Sequence, residues 1–127
     1  MPRVFITGHL GMVGSALVRA IQKNYAGWSL LLATRNQLDL LNQSEVEKFL
    51  SEEKPDFIIN AAARVGGIHA NSTYPAEFIH QNLVLNSNLI HAAWKNGVSR
   101  FLNLEARVFT HVSLNNQLKK SIYLLVP

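Results

Sequence analysis

Apolar residues in this chain fall in short unbroken runs, separated by stretches in which they recur at helical spacing. Val4-Phe5-Ile6, Leu30-Leu31-Leu32-Ala33 and Phe57-Ile58-Ile59 are runs of strand length, and Arg100-Phe101-Leu102-Asn103-Leu104 resembles them. A continuous run between polar flanks is how a strand buried on both faces reads, since neither face is wetted. The pattern predicts strands at 3–7, 29–33, 57–62 and 100–104, with a brief further strand over Leu38-Asp39-Leu40-Leu41. Between them, Ala16, Leu17, Ala20 and Ile21 recur near the helical period, and Val46, Phe49 and Leu50 do so again. Ser44, with Glu47 three residues on, forms a capping box that should open the second helix, and Pro55 should stop it. A third helix is predicted over 76–96, ended by Gly97. Its apolar arc (Phe78, Ile79, Leu83, Leu85, Leu89, Ile90, Ala93 and Trp94) is wider than one sheet contact needs, which predicts a homodimer through this helix. Asn82 and Asn86 fall inside the arc and should bond backbone or each other.

Strands alternating with helices define an α/β fold: a Rossmann-like doubly wound parallel sheet, here truncated to about five strands in the order 3-2-1-4-5. The ligand crevice of such a sheet lies above the carboxyl ends of strands one and four. A length of 127 residues fits one domain. Composition narrows the function. With no cysteine, neither disulfides nor a thiolate zinc site can form. His69, His80 and His91 have no metal-ligand spacing. No run is long and apolar enough to span a membrane, and no secretory signal opens the chain, so no membrane partner and a cytoplasmic location are expected. The net charge of +4 is scattered, which argues against nucleic acid.

The chemistry concentrates in Gly8-His9-Leu10-Gly11-Met12-Val13-Gly14, where the first strand runs into three glycines spaced three apart and then into a helix. Gly8 can turn the chain sharply. Gly11 lets backbone approach a pyrophosphate, Gly14 lets the helix pack closely on the strand, and the helix N-terminus faces the anion. The same three glycines would also serve as a plain turn in any α/β domain; the strand, the helix and a suitable later residue favour the dinucleotide reading. His9 is a bystander in this loop. Arg35, just past the second strand, stands where an acidic residue would select NAD; its fixed positive charge suits a 2′-phosphate and so NADP. Asp39 could reach the adenine amino group with Leu40 packing on the ring, or it could cap local backbone as a turn aspartate. Ala61, Ala62 and Ala63 leave room for a cofactor, and equally suit a tight helix–strand contact. Leu104, ending the last strand, completes the cofactor-binding set.

Three segments carry a family resemblance, Gly-His-Leu-Gly-Met-Val-Gly-Ser at 8–15, Thr-Arg-Asn-Gln-Leu-Asp-Leu-Leu at 34–41, and Ala-Ala-Ala-Arg-Val-Gly-Gly-Ile-His-Ala-Asn-Ser-Thr-Tyr-Pro-Ala-Glu-Phe at 61–78, the last far more specific than the glycine loop, which a whole superfamily shares. They resemble the GDP-L-fucose synthases, extended short-chain dehydrogenases. The resemblance implies an enzyme that epimerises GDP-4-keto-6-deoxymannose and reduces it with NADPH, and a dimer through helices. Arg64 stands where that family usually has lysine.

The resemblance covers residues 1–104 and then stops. The family continues GSSCIYP, whereas this chain reads Glu105-Ala106-Arg107-Val108-Phe109-Thr110-His111. Those residues written as GAA GCT CGT GTA TTT ACC CA, with one G placed in front, regroup into codons for GSSCIYP. Val112 to Pro127, with allowed wobble bases, then yield a further family-like segment. One base is therefore inferred to be missing near codon 105, which makes 1–104 the NADP-binding portion and 105–127 an out-of-frame tail. The family's serine, cysteine, histidine and Tyr-x-x-x-Lys have no counterpart here: Tyr25, Tyr74 and Tyr123 lack a lysine four residues on. Two readings follow. One is the NADP-binding part of an oxidoreductase and epimerase, inactive alone and without the sugar-nucleotide domain; the other is a non-enzymatic product of a disrupted gene, at most a weak dinucleotide binder.

Overall fold

The computed structural model describes residues 1–62, 75–107 and 119–125. Its elements run β1 (Arg3–Thr7), α1 (Met12–Asn24), β2 (Ser29–Leu32), α2 (Gln43–Glu53), β3 (Phe57–Asn60), α3 (Pro75–Lys95), β4 (Arg100–Arg107) and β5 (Lys119–Leu125). One sheet has the order β2-β1-β3-β4-β5. The first four strands are parallel and in register: Val4 lies beside Leu30 and Phe57, and Phe57 beside Arg100.

Because side chains alternate across a strand, this register sorts the apolar runs onto two faces. Phe5 and Ile58 face a core with Val46 and Leu50 of α2 and Leu85, Leu89, Ala92 and Ala93 of α3. Val4 and Ile6 face the other way, onto Ile21, Leu17 and Val18 of α1. Both faces are covered, as the unbroken apolar runs require, and the fold is the expected Rossmann-like α/β sheet. β1 lies between β2 and β3, with Val4, Phe5 and Ile6 almost fully buried. At the amino end of β1, Arg3 donates its N–H to Asp56 (2.7 Å), donates Nη1 to the Glu53 carbonyl (2.6 Å) and pairs with the Glu53 carboxylate.

Four expectations need correction. Residues 38–41 form no strand; they are a turn, with the Asn42 N–H donated to the Asp39 carbonyl (3.0 Å). Leu38 spends its apolar character on the core instead, at 5% exposure. Of the expected order 3-2-1-4-5, strands 2-1-4-5 are present as β2-β1-β3-β4, and only the third is missing from the edge beside β2. The N-cap of α2 is Asn42, not Ser44: its side chain accepts from the Glu45 N–H (3.2 Å) two residues upstream of the expected start, and Asn caps as well as Ser. Asn86 has a partner outside its own helix, accepting from the Asn60 amide of β3 (2.7 Å). Finally, the sheet gains a fifth strand, β5, that the apolar pattern does not predict. Lys119–Leu125 returns antiparallel beside β4, with Phe101 opposite Leu125 and Arg107 opposite Lys119. An unpaired edge offers a row of free N–H and C=O groups, and an antiparallel strand can fill it without a crossover helix.

Candidate functional site

β1 has β2 on one side and β3 on the other, so the carboxyl end of β1 is the point where the sheet reverses direction. The glycine loop starts there. Gly8 has φ 69°, and Gly11 donates its N–H back to the Gly8 carbonyl (3.0 Å), closing the turn. The helix that follows begins on Gly11, which has extended backbone and no side chain to cap with. No acidic residue sits in the first turn of α1. By contrast, α2 has the Asn42 cap and Glu45 in its first turn, and α3 has Glu77. Among the described helices, α1 is thus the one whose positive end no carboxylate or side-chain cap offsets, which suits a bound anion.

The glycines differ in what the protein itself asks of them. A Cβ on Gly8 would lie 2.8 Å from the backbone of Ala61 and Ala62, and one on Gly14 would lie 1.9 Å from the Gly8 carbonyl oxygen. Packing alone requires glycine at both. A Cβ on Gly11 would meet only the Gly8 carbonyl oxygen, at 3.4 Å, an ordinary contact, and its φ is −75°. Nothing within the described residues needs Gly11 to be bare. Its open side faces solvent between Leu10, Met12 and Val13, all exposed apolar side chains on the lip of the loop. His9 is half-buried in the same turn.

Arg35 lies at the same end of the sheet, three residues beyond β2. It rides on a tight turn: Thr34 donates its N–H to the Gln37 side chain (2.9 Å), and Gln37 and Leu38 donate theirs to the Thr34 carbonyl. Arg35 is exposed and makes no ion pair among the described residues. Asp39 accepts the Leu41 N–H on Oδ1 (3.0 Å), the geometry of a turn aspartate, which leaves Oδ2 for any other donor. Leu40 is half-buried against the core. Ala61 and Ala62 press on Gly8, so their small size serves a close backbone contact. Ala63 lies outside the described residues. Leu104 is half-buried within β4, opposite Ile122.

A buried polar hub beneath the loop escaped the sequence reading. Thr7, Asn60 and Asn103 form one row across β1, β3 and β4. Asn60, 1% exposed, accepts from the Thr7 hydroxyl (2.5 Å) and donates to the Asn86 and Asn103 side-chain carbonyls (2.7 and 2.8 Å). The Ala62 N–H donates to Thr7 Oγ1 and Asn60 Oδ1 (3.2 and 3.3 Å). Every polar atom of that amide is used, so its orientation is fixed. The signal was present in the sequence, since each buried strand reaches a small polar residue near its carboxyl end.

Fold and loop together define a Rossmann-type domain with a glycine-rich loop at its topological switch point. Comparison with known proteins narrows this. The chain belongs to the NAD dependent epimerase/dehydratase family, whose family model matches residues 4–112. It is 51% identical over 102 residues to GDP-L-fucose synthase 1 of Arabidopsis thaliana, covering 80% of this chain and 31% of that protein. It is 50% identical over 102 residues to the GDP-L-fucose synthase of Escherichia coli, covering 80% of this chain and 32% of that protein. The chain thus spans about a third of the length of the curated relatives it matches. Among solved structures it resembles a GDP-mannoheptose C4 reductase from Campylobacter jejuni with NADP bound, at a TM-score of 0.72 and 41% identity, over 77% of this chain and 31% of that one.

Proposed function

We propose that this chain is the NADP-binding, amino-terminal part of a GDP-L-fucose synthase. The whole enzyme would convert GDP-4-keto-6-deoxy-D-mannose to GDP-L-fucose by epimerisation and NADPH reduction. The observation that carries the reading is Gly11, a glycine that packing does not require, at an uncapped helix N-terminus on the switch point of the sheet. A pyrophosphate seated there would accept from the free N–H groups of the first turn. Arg35 would meet the 2′-phosphate of NADP, which accounts for an exposed cation without an ion pair on a braced turn. The identity to GDP-L-fucose synthases and the NADP bound by the Campylobacter reductase support the same choice of cofactor. When bound, NADPH supplies the hydride; residues 1–104 hold and orient it. The catalytic groups and the sugar-nucleotide domain would belong to sequence that the out-of-frame tail at 105–127 replaces, so the chain alone would turn nothing over. Two copies would pair through α3, whose outer face carries exposed Ile79, Leu83, Ile90 and Trp94.

Titrating the 127-residue chain with NADPH and NADH tests the cofactor. NADPH should bind roughly ten- to a hundredfold more tightly, the worth of a hydrogen bond to a charged group, and Arg35→Ala should abolish the preference. Equal affinities in the parent chain would sink the assignment.

A further inference from the structure

The turn at 38–41 is held by a residue that no reading of the site has used. Asn88, half-buried on α3, donates its side-chain amide to the Leu40 carbonyl at 2.9 Å, across 48 residues of sequence. The turn has no ladder to fix it, because it forms no strand. Leu38 anchors one end in the core beside Leu85 and Leu89, on the same helix as Asn88. At the other end, Asp39 Oδ1 is tied to the Leu41 N–H, so the carboxylate's orientation follows the backbone of Leu40 and Leu41. The Asn88 amide fixes that backbone between the two. A side chain of this kind sets where Asp39 Oδ2 and the exposed part of Leu40 stand relative to the crevice. Both lie past β2 at the sheet end that carries the glycine loop.

We propose that Asn88 is a positioning residue for adenine recognition: by holding the Leu40 carbonyl it aims Asp39 at the exocyclic amino group of a bound adenine. This rests on the dinucleotide reading above. It also decides between the two roles of Asp39, since one oxygen serves the turn and the other the base.

The test compares NADPH with its deamino analogue, in which hypoxanthine replaces adenine and the amino donor is gone. The parent chain should bind NADPH about tenfold more tightly than the analogue. Asn88→Ala and the similarly sized Asn88→Asp, which cannot donate from a carboxylate, should both bring this ratio to within about twofold of unity, while affinity for the analogue changes little. A general loosening of the fold would weaken both ligands together and leave the ratio alone; circular dichroism melts identify that case. A ratio that persists in either folded variant overturns the proposal. A parent chain that binds both ligands equally overturns it while the dinucleotide reading stands, and a parent chain that binds neither removes both.

Discussion

Gly8, Gly11 and Gly14 are the same residue for three different reasons, and substitution separates them. Gly14→Ala would place a methyl group 1.9 Å from the Gly8 carbonyl oxygen, so α1 must shift away from the loop. A stability loss of about 1–3 kcal/mol is expected, read by urea denaturation. Gly11→Val has negative φ and room for its Cβ; it should melt within a few degrees of the parent yet bind no NADPH, because its side chain fills the space the pyrophosphate needs. A folded Gly11→Val that still binds would place the ligand elsewhere. The Asn60 hub is a matter of stability. Asn60→Leu would remove the acceptor of the Thr7 hydroxyl proton and the donor to the Asn86 and Asn103 side-chain carbonyls, at about 1–3 kcal/mol for each group left buried without a partner. Urea denaturation should show at least one such loss, and an unchanged midpoint would mean that water replaces the amide at no cost. The glycine spacing was legible in the sequence, but the division of labour was not: it depends on what lies opposite each Cβ, and Ala61 and Ala62 are far along the chain from Gly8.

α3 shows how one helical pattern divides. Leu85, Leu89, Ala92 and Ala93 turn into the core, and the rest of the arc stays out, with Trp94 68% exposed. Ile79, Leu83, Ile90 and Trp94 stand at spacings of four, seven and four, a stripe about 60° wide. Such a stripe, long and apolar on the surface, favours a second helix. Leu83→Glu combined with Ile90→Glu should lower the mass seen by light scattering from dimer to monomer without changing the melting profile. A parent chain that remains monomeric at high concentration would count against pairing through α3. Periodicity alone located the arc, but it could not say which part of it turns inward. The helix's rotation about its own axis follows from Phe5, Ile58 and Val46 beneath it, not from its own sequence. At α2 the reverse happened: two good capping residues lay two positions apart, and the turn at 39–42 selected Asn42.

For the molecule as a whole, the open question of its tail turns on the reading frame. If one base is missing near codon 105, restoring it together with the downstream gene should give a protein that forms GDP-L-fucose from GDP-4-keto-6-deoxymannose and NADPH. The 127-residue chain should form none. Product from the purified chain alone would refute both the frame argument and the claim that the catalytic groups lie beyond residue 104. β4 pairs with β3 along Arg100–Asn103 and with β5 along Phe101–Arg107, so it is not a bare sheet edge of the kind that recruits other chains.

The sequence by itself determined most of the elements, the class of fold and the glycine loop. Buried strands must be apolar throughout, helices must repeat near 3.6, and a sharp turn into a helix must be built of glycine; each is a local demand, written locally. Tertiary structure alone decided which residues meet. Thr7, Asn60 and Asn103 became one row because three strands stacked in register. Residues 38–41 became a turn because Leu38 was worth more in the core than in a ladder, and Asn88 reached Leu40 because α3 packs over that turn. These contacts join residues 43–53 positions apart, and their energies come from burial and from saturated hydrogen bonds that no window of neighbouring residues contains.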